Sequence, residues 1–183
     1  MKVSEQRGEA SNIVLVGMPG AGKSTVGVIL AKLASLGFVD TDVLIQASER
    51  RSLQSIIDSQ GYMALREIEE RVLLGLECRC HVIATGGSAV YSPAAMAHLA
   101  VDGVIVFLDV DLATLESRAL DLGRRGIAKR PDQSFAELFE ERRKLYEAYA
   151  DVTVECNGLT HDEVCTEILH RLYQEGGSTP PLP

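Results

Sequence analysis

The chain has 183 residues, of which 46% are hydrophobic and 24% are charged, and its formal net charge is −8. This composition is typical of one globular domain and excludes the disordered and collagen-like classes. The acidic balance argues against a long nucleic acid as partner, because such partners favour a basic surface. Residues 1–11 carry no signal-peptide pattern and no run is apolar enough to span a membrane. We therefore expect a cytoplasmic protein without a membrane partner, small enough to act as a monomer.

A glycine-rich segment from Gly17 to Thr25 fits the P-loop pattern G-x-x-x-x-G-K-[ST] at every fixed position. The β-branched run before it predicts a buried strand, and the apolar spacing after Ser24 predicts a helix. Strand, glycine loop and helix together form a cradle for phosphates, which a chance glycine turn does not explain. We predict that Lys23 reaches the β- and γ-phosphates of a nucleotide and that Ser24 ligates Mg²⁺. The predicted nucleotide-binding residues are Gly20, Ala21, Gly22, Lys23, Ser24 and Thr25.

The next short segment, from Gly37 to Asp42, predicts a second strand and ends in two acids. Asp40 and Asp42 are two residues apart, so both side chains would point to one side if the extended geometry persists. Doubly wound α/β proteins bind ligands at such strand ends, so we predict a functional role for the pair. As an alternative, Thr41 or Asp42 caps the helix that follows.

Two arginines are predicted to point inward from amphipathic helices. Arg66 lies on the apolar stripe of one predicted helix, and Arg142 lies in the middle of the stripe of a later helix. An arginine that is removed from water needs a partner for its guanidinium group. For Arg66, that partner is either Glu69 or Glu70 in an ordinary ion pair of the same helix, or an anionic substrate.

A glycine pair and a basic segment complete the inventory. Gly86 and Gly87 follow a predicted strand and would let a ligand approach the backbone, unless they form a plain turn. Residues 123–133 are either a solvated loop or a lid that supplies an arginine to a phosphoryl group. The basic residues of this segment are Arg124, Arg125, Lys129 and Arg130.

Predicted strands and helices alternate along the chain, so we expect a three-layer α/β fold around a five-stranded parallel sheet. This is the P-loop NTPase class, like nucleoside-monophosphate kinases. A single kinase domain is predicted over residues 12–174, between a disordered extension (1–11) and a flexible tail (175–183). The inventory favours phosphoryl transfer to a small carboxylated alcohol: one acid supports Mg²⁺, the other accepts the hydroxyl proton, and the arginines hold the carboxylate.

The order and spacing of these motifs resemble the shikimate kinase family over nearly the whole chain. The family motifs D-T-D, R-x-I-E, the glycine turn and R-x-x-L-Y stand here at residues 40–42, 66–69, 86–87 and 142–146. The resemblance implies that ATP phosphorylates shikimate to 3-phosphoshikimate in aromatic amino-acid biosynthesis. It also implies that Asp40 lies near Mg²⁺ and contacts it indirectly, through water. The implied substrate contacts are Asp42, Arg66, Gly87 and Arg142, to which we add the adjoining Gly86. We predict that Lys23, Asp42 and a lid arginine are catalytic.

Three departures from the family pattern leave the acceptor open. Ser88 stands in place of a third glycine, Lys144 in place of a proline, and residues 130–133 read R-P-D-Q in place of R-P-L-L. The altered lid leaves both Arg125 and Arg130 as candidates for the catalytic arginine. A homoserine kinase of threonine biosynthesis on the same scaffold is the main alternative, since both substrates present a carboxylate and a hydroxyl. A nucleotide-dependent switch without metabolic turnover is a further alternative.

Overall fold

The computed structural model of the protein describes residues 11–119 and 126–175. The first part of the predicted lid, with Arg124 and Arg125, therefore lies outside the described residues. Most of the predicted N-terminal extension and nearly all of the predicted C-terminal tail lie outside them as well.

Five parallel strands form one sheet. They are β1 (Asn12–Val16), β2 (Gly37–Asp40), β3 (His81–Ala84), β4 (Gly103–Asp109) and β5 (Val152–Glu155). Their spatial order is β2-β3-β1-β4-β5, with every neighbouring pair parallel. The central strand β1 is buried along its whole length, which explains its unbroken run of branched apolar residues. The chain fills one side of β1 before it crosses to the other, so the carboxyl end of β1 is a switch point where such sheets bind ligands.

The described helices connect these strands and cover the sheet. They are α1 (Lys23–Leu33), α2 (Thr41–Glu49), α3 (Leu53–Gln60), α4 (Tyr62–Leu74), α5 (Pro93–Asp102), α6 (Leu112–Ala119), α7 (Phe135–Tyr149) and α8 (His161–Glu175). Helix α1 packs against α8, and α4 packs against α5. No helix of the described segments has the length and apolar content needed to cross a bilayer. The predicted three-layer α/β fold with a five-stranded parallel sheet is confirmed.

Two hydrophobic clusters hold these layers together. The larger one surrounds the sheet and includes nearly all of β1 and β4. The smaller one joins α2, α3 and α4 to the segment that follows residue 125. Its buried members are Ile45, Leu53, Ile56, Leu65, Ile68 and Ala128. The small cluster therefore fixes the position of the Ala128 backbone, which faces the functional site described below.

Strand β2 is shorter than predicted and ends at Asp40. The Oδ1 atom of Asp40 accepts hydrogen bonds from the backbone N–H groups of Asp42 (3.0 Å) and Val43 (3.2 Å), so Asp40 is the N-cap of α2. The extended geometry predicted through Asp42 does not persist, because Asp42 already lies in the first turn of the helix. The helix cap predicted at Thr41 or Asp42 is therefore wrong, because the observed cap, Asp40, lies one or two positions earlier in the chain.

Helix α7, which carries Arg142, begins with a capping box. Ser134 Oγ accepts a hydrogen bond from the N–H of Glu137, whose side chain accepts one from the N–H of Ser134. We expect Ser134→Ala to lower the free energy of unfolding by about 1 kcal/mol, measured by urea denaturation, because a helix N–H loses its partner. Ser55→Ala, at an exposed position within α3, is the control and should change stability by less than about 0.5 kcal/mol. Equal losses in both variants would contradict the capping argument.

Candidate functional site

A cavity of about 520 Å³ opens at the carboxyl ends of the strands. It brings together the predicted phosphate loop, one of the two predicted acids, one glycine of the turn and one inward arginine. The polar and glycine residues of its lining include Gly20, Gly22, Lys23, Ser24, Thr25, Asp42, Glu69, Thr85, Gly87, Ser88, Ser117, Arg118, Gly126, Arg142 and His161.

The loop between β1 and α1 has the backbone form that a phosphate cradle needs. Gly22 is the N-cap of α1 with φ of +93°, a left-handed conformation that glycine adopts without strain. Lys23 is buried, and its Nζ donates hydrogen bonds to the carbonyl oxygens of Gly17 (2.7 Å) and Met18 (3.0 Å). The ammonium group is therefore held within the loop, at a helix N-terminus that attracts anions.

The charge of Lys23 depends on what surrounds it. Burial lowers the pKa of Lys23 to about 8, and the nearby carboxylate of Asp42 acts in the opposite direction. The phosphates of a nucleotide would add negative charge beside the ammonium group and favour its protonated form. Lys23 is therefore suited to bind an anion that enters the cavity.

A buried acid on α4 belongs to the site although no role was predicted for it there. Glu69 is 3% exposed, and its Oε2 accepts a hydrogen bond from Ser88 Oγ. Its Oε1 is buried and has no hydrogen-bond partner among the described residues. Burial, assisted by the charge of Asp42, raises the pKa of Glu69 to about 7. Within residues 11–119 and 126–175, neither Glu69 nor Glu70 forms an ion pair with Arg66, so that sequence-based alternative is wrong.

The two predicted inward arginines meet at one backbone oxygen. Nη2 of Arg142 lies 2.7 Å from the carbonyl oxygen of Ala128, and Nη2 of Arg66 lies 3.3 Å from the same atom. The Nε atoms of both arginines are buried and have no hydrogen-bond partner in the described structure. No ion pair joins either guanidinium group to a described carboxylate. Because a cation removed from water is costly without a counter-charge, this pair is suited to bind an anion.

An aromatic ring supports these arginines without neutralising them. The guanidinium carbon of Arg66 lies 3.5 Å from the ring centroid of Tyr91, and that of Arg142 lies 5.4 Å from it. Such cation–π contacts stabilise a charge while they leave the N–H groups available for hydrogen bonds. The hydroxyl of Tyr91 donates to Glu141 Oε1, which orients the ring. Sequence reasoning missed Tyr91 because it lies in a 3₁₀ turn, Ala89–Tyr91, that matches no motif.

The glycine turn after β3 is packed against charged side chains of the site. A Cβ atom on Gly86 would lie 2.1 Å from Glu69 Oε1 and 2.7 Å from Asp42 Oδ1. A Cβ atom on Gly87 would lie 2.8 Å from Arg142 Nη1. Close approach was predicted for a ligand at this turn, and the structure shows it for the protein's own acids and arginine. A side chain at either position would therefore have to displace these charged groups.

Glu141 of α7 fixes the described part of the predicted lid. It pairs with Arg130 Nη1 at 3.3 Å and accepts a hydrogen bond from Gln133 Nε2 at 2.8 Å. Arg130 is thus held on α7 and does not line the cavity. Arg125, the other lid candidate, lies outside the described residues.

The remaining predicted residues lie around the phosphate loop, together with two that were not predicted. Ser24 and Thr25 are exposed and line the cavity, whereas Ala21 is buried beneath the loop. Arg118 Nη1 donates to the carbonyl oxygen of Gly20 at 3.0 Å and also lines the cavity, as does His161. Neither of these last two residues belongs to a recognisable motif.

A sequence model of the shikimate kinase family matches residues 19–173. The chain belongs to the shikimate kinase family. A shikimate kinase from Thermosynechococcus vestitus is 39% identical over 179 residues, which cover 94% of each chain. A shikimate kinase from Acinetobacter baumannii in complex with shikimate has a TM-score of 0.85 at 29% identity, over 92% of this chain and 96% of its own. The structure of shikimate kinase from Aquifex aeolicus has a TM-score of 0.78 at 34% identity, over 90% and 97%.

The shikimate kinase resemblance that the motif order indicated is therefore confirmed, together with the P-loop kinase fold. The motifs that carried it are distributed over four separate elements of the chain. The structure brings the phosphate loop, Asp42, Gly87 and Arg142 to one cavity. It places Arg66 beside Arg142, at the same carbonyl oxygen.

The raised pKa of Glu69 makes stability depend on pH. The folded state holds this proton up to about pH 7, whereas the carboxyl of an unfolded chain releases it near pH 4.5. The stabilising contribution is therefore complete below pH 4.5 and is lost as the pH rises through 7. We expect Glu69→Gln to be more stable than the natural chain at pH 8, by up to about 3 kcal/mol, and the difference to shrink at pH 5.

Urea denaturation of both proteins at pH 5, 6.5 and 8 measures this convergence. Glu67→Gln, at an exposed position of the same helix, is the matched control, and its difference from the natural chain should stay constant. A constant difference for Glu69→Gln as well would show that Glu69 has the same pKa in both states.

Proposed function

We propose that this protein transfers the γ-phosphoryl group of ATP to a hydroxyl of shikimate and forms 3-phosphoshikimate, a step of aromatic amino-acid biosynthesis. One observation carries the assignment of the acceptor class: Arg142 lines the same cavity as the phosphate loop, and neither it nor the neighbouring Arg66 has a carboxylate partner in the described structure. Such a site suits an acceptor that brings its own carboxylate. Family membership and the similarity to a shikimate kinase with shikimate bound support the choice of shikimate.

The donor half of the reaction uses the loop between β1 and α1. The N–H groups of the loop and of the first turn of α1 would hold the phosphates of ATP, and Lys23 would neutralise their charge. Because Lys23 Nζ already donates hydrogen bonds to two carbonyl oxygens of its own loop, its ammonium group needs little reorganisation when ATP binds. The donor site is thus preorganised.

The side chains at this place also fit Mg²⁺ bound with ATP. Mg²⁺ in nucleotide sites uses few protein ligands beside phosphate oxygens and water. The exposed Ser24 hydroxyl suits one direct ligand, and Asp40 suits contact through water, since its Oδ1 is engaged in capping α2. Phosphate oxygens and water would supply the other ligands. The ion would neutralise charge on the transferred phosphoryl group.

The acceptor half would use α2, α4, α7 and the glycine turn. Arg66 and Arg142 would bind the carboxylate of shikimate through charge-assisted hydrogen bonds, since their Nε atoms lack partners in the described structure. The backbone of Gly87 would contact the ring side of the substrate. Asp42, at the cavity wall, would accept the proton of the reacting hydroxyl as the oxygen attacks the γ-phosphorus.

The decisive experiment is a panel of acceptors. Purified protein with ATP and Mg²⁺ should phosphorylate shikimate with a kcat/KM at least about 10²-fold above that for homoserine. A site whose polar groups match one acceptor leaves some of those groups unpaired when the other acceptor binds. A coupled assay for ADP release measures both. A preference for homoserine would retain the kinase class but change the acceptor. Nucleotide binding without turnover of either acceptor would favour the switch.

Removal of one arginine tests the carboxylate site. Arg142→Ala should lower kcat/KM for shikimate about 10²-fold or more and leave the Kd for ATP within about twofold, because a buried charge pair with the substrate is lost. Steady-state kinetics and calorimetric titration with ATP measure the two effects. Arg143→Ala is the matched control, since Arg143 pairs with Asp109 and Glu147 outside the cavity. Equal losses of shikimate and ATP binding in Arg142→Ala would make Arg142 a structural residue.

The position of Arg130 favours Arg125 as the catalytic arginine of the lid. We expect Arg125→Ala to lower kcat by about 10²-fold or more, because the charge of the moving phosphoryl group loses a cation. Arg130→Ala should change kcat by less than about threefold, since Arg130 is paired with Glu141. Single-turnover measurements at saturating ATP compare the two variants. The opposite order would assign the role to Arg130.

A further inference from the structure

The buried acid Glu69 lies among cations but pairs with none of them in the described structure. The charged groups that act on it are Asp42 of α2, Lys23 of α1 and Arg142 of α7. Arg66 lies three residues earlier on its own helix. All three cations donate instead to backbone oxygens: Lys23 to its own loop and both arginines to Ala128.

A carboxylate in this position would ordinarily bind an arginine. Residues three apart on a helix are neighbours, so Arg66 is within reach of Glu69. Attraction between opposite charges is strong where water is excluded. An ion pair between Glu69 and either arginine would occupy the N–H groups that the carboxylate of the acceptor needs, so Glu69 is a potential internal competitor of the substrate.

One hydrogen bond restrains this acid. Ser88 Oγ donates to Oε2 of Glu69, and Ser88 itself is buried at the N-cap of the 3₁₀ turn Ala89–Tyr91. A hydroxyl donor fixed by the backbone therefore directs Glu69 toward the glycine turn, where its Oε1 packs against Gly86. A glycine at position 88, as in the family pattern, offers no such donor.

We propose that Ser88 is a positioning residue of the acceptor site, whose hydrogen bond to Glu69 keeps Arg66 and Arg142 available to the carboxylate of the substrate. The proposal rests on the proposed function, because it requires an acceptor that carries a carboxylate. It assigns no chemical step to Ser88. The effect of Ser88 is on acceptor affinity.

Four variants test this role: Ser88→Ala, Ser88→Gly, Glu69→Gln and the double variant Ser88→Ala with Glu69→Gln. Loss of the hydroxyl should raise the KM for shikimate about tenfold at pH 8, above the pKa of about 7 of Glu69, with kcat and the KM for ATP within about twofold, because the charged Glu69 then competes for the arginines. Glu69→Gln alone supplies the reference KM for the double variant. In the double variant, the neutral amide cannot compete as a charge, and the KM should return toward its natural value.

Each outcome decides the proposal. An unchanged KM in both Ser88→Ala and Ser88→Gly overturns it, and so does a raised KM that Glu69→Gln does not restore. A parallel fall of kcat, ATP affinity and melting temperature in both Ser88 variants assigns Ser88 a structural role instead. Failure of the natural chain to phosphorylate shikimate or homoserine overturns the proposed function, and this proposal with it. If the natural chain is active and its Ser88 variants have the same kinetics as the natural chain, only the role of Ser88 is overturned.

Discussion

The site depends on one shared hydrogen-bond acceptor, the carbonyl oxygen of Ala128. The guanidinium groups of the buried Arg142 and the half-buried Arg66 donate to it, and this backbone oxygen carries only a partial negative charge against two full positive charges. The small hydrophobic cluster of α2, α3 and α4 includes Ala128, so packing in this cluster positions the oxygen that both arginines share. Tyr91 adds a ring face to the two cations, and Glu141 orients that ring. The two arginines of the free protein therefore keep N–H groups without a carboxylate partner in the described structure.

The anionic groups of a ligand can accept hydrogen bonds from these N–H groups. A protein whose folded state holds uncompensated cations is stabilised by any anion that binds there and not to the unfolded chain. The same argument applies to the phosphate loop, where burial lowers the pKa of Lys23 to about 8. The buried cations in both halves of the site thus lower the stability of the protein without ligand, and bound anions offset this cost.

The fold was predictable because its signals are local. The buried run of β1, the P-loop pattern and the alternation of strands and helices each depend on residues close together in the chain. Arg142 was found by its place in the apolar stripe of a helix. Glu69 lies on such a stripe too, and the same reasoning would have marked it as a buried acid of the site. Its restraint by Ser88 was not predictable, because that hydrogen bond joins residues 19 positions apart. The end of β2 was misjudged because Asp40 satisfies both a strand pattern and a helix cap.

The glycine turn after β3 limits how this pocket can change during evolution. A methyl group at position 86 would collide with two carboxylates, and one at position 87 would collide with a guanidinium group. No single substitution at either position leaves the charged wall of the pocket intact. Changes of acceptor specificity that keep these charged groups in place would use the other walls, such as the apolar side formed by Ile45, Leu53 and Leu65. Those side chains can be exchanged for others of similar volume at modest cost in stability, which makes that wall the adaptable face of the pocket.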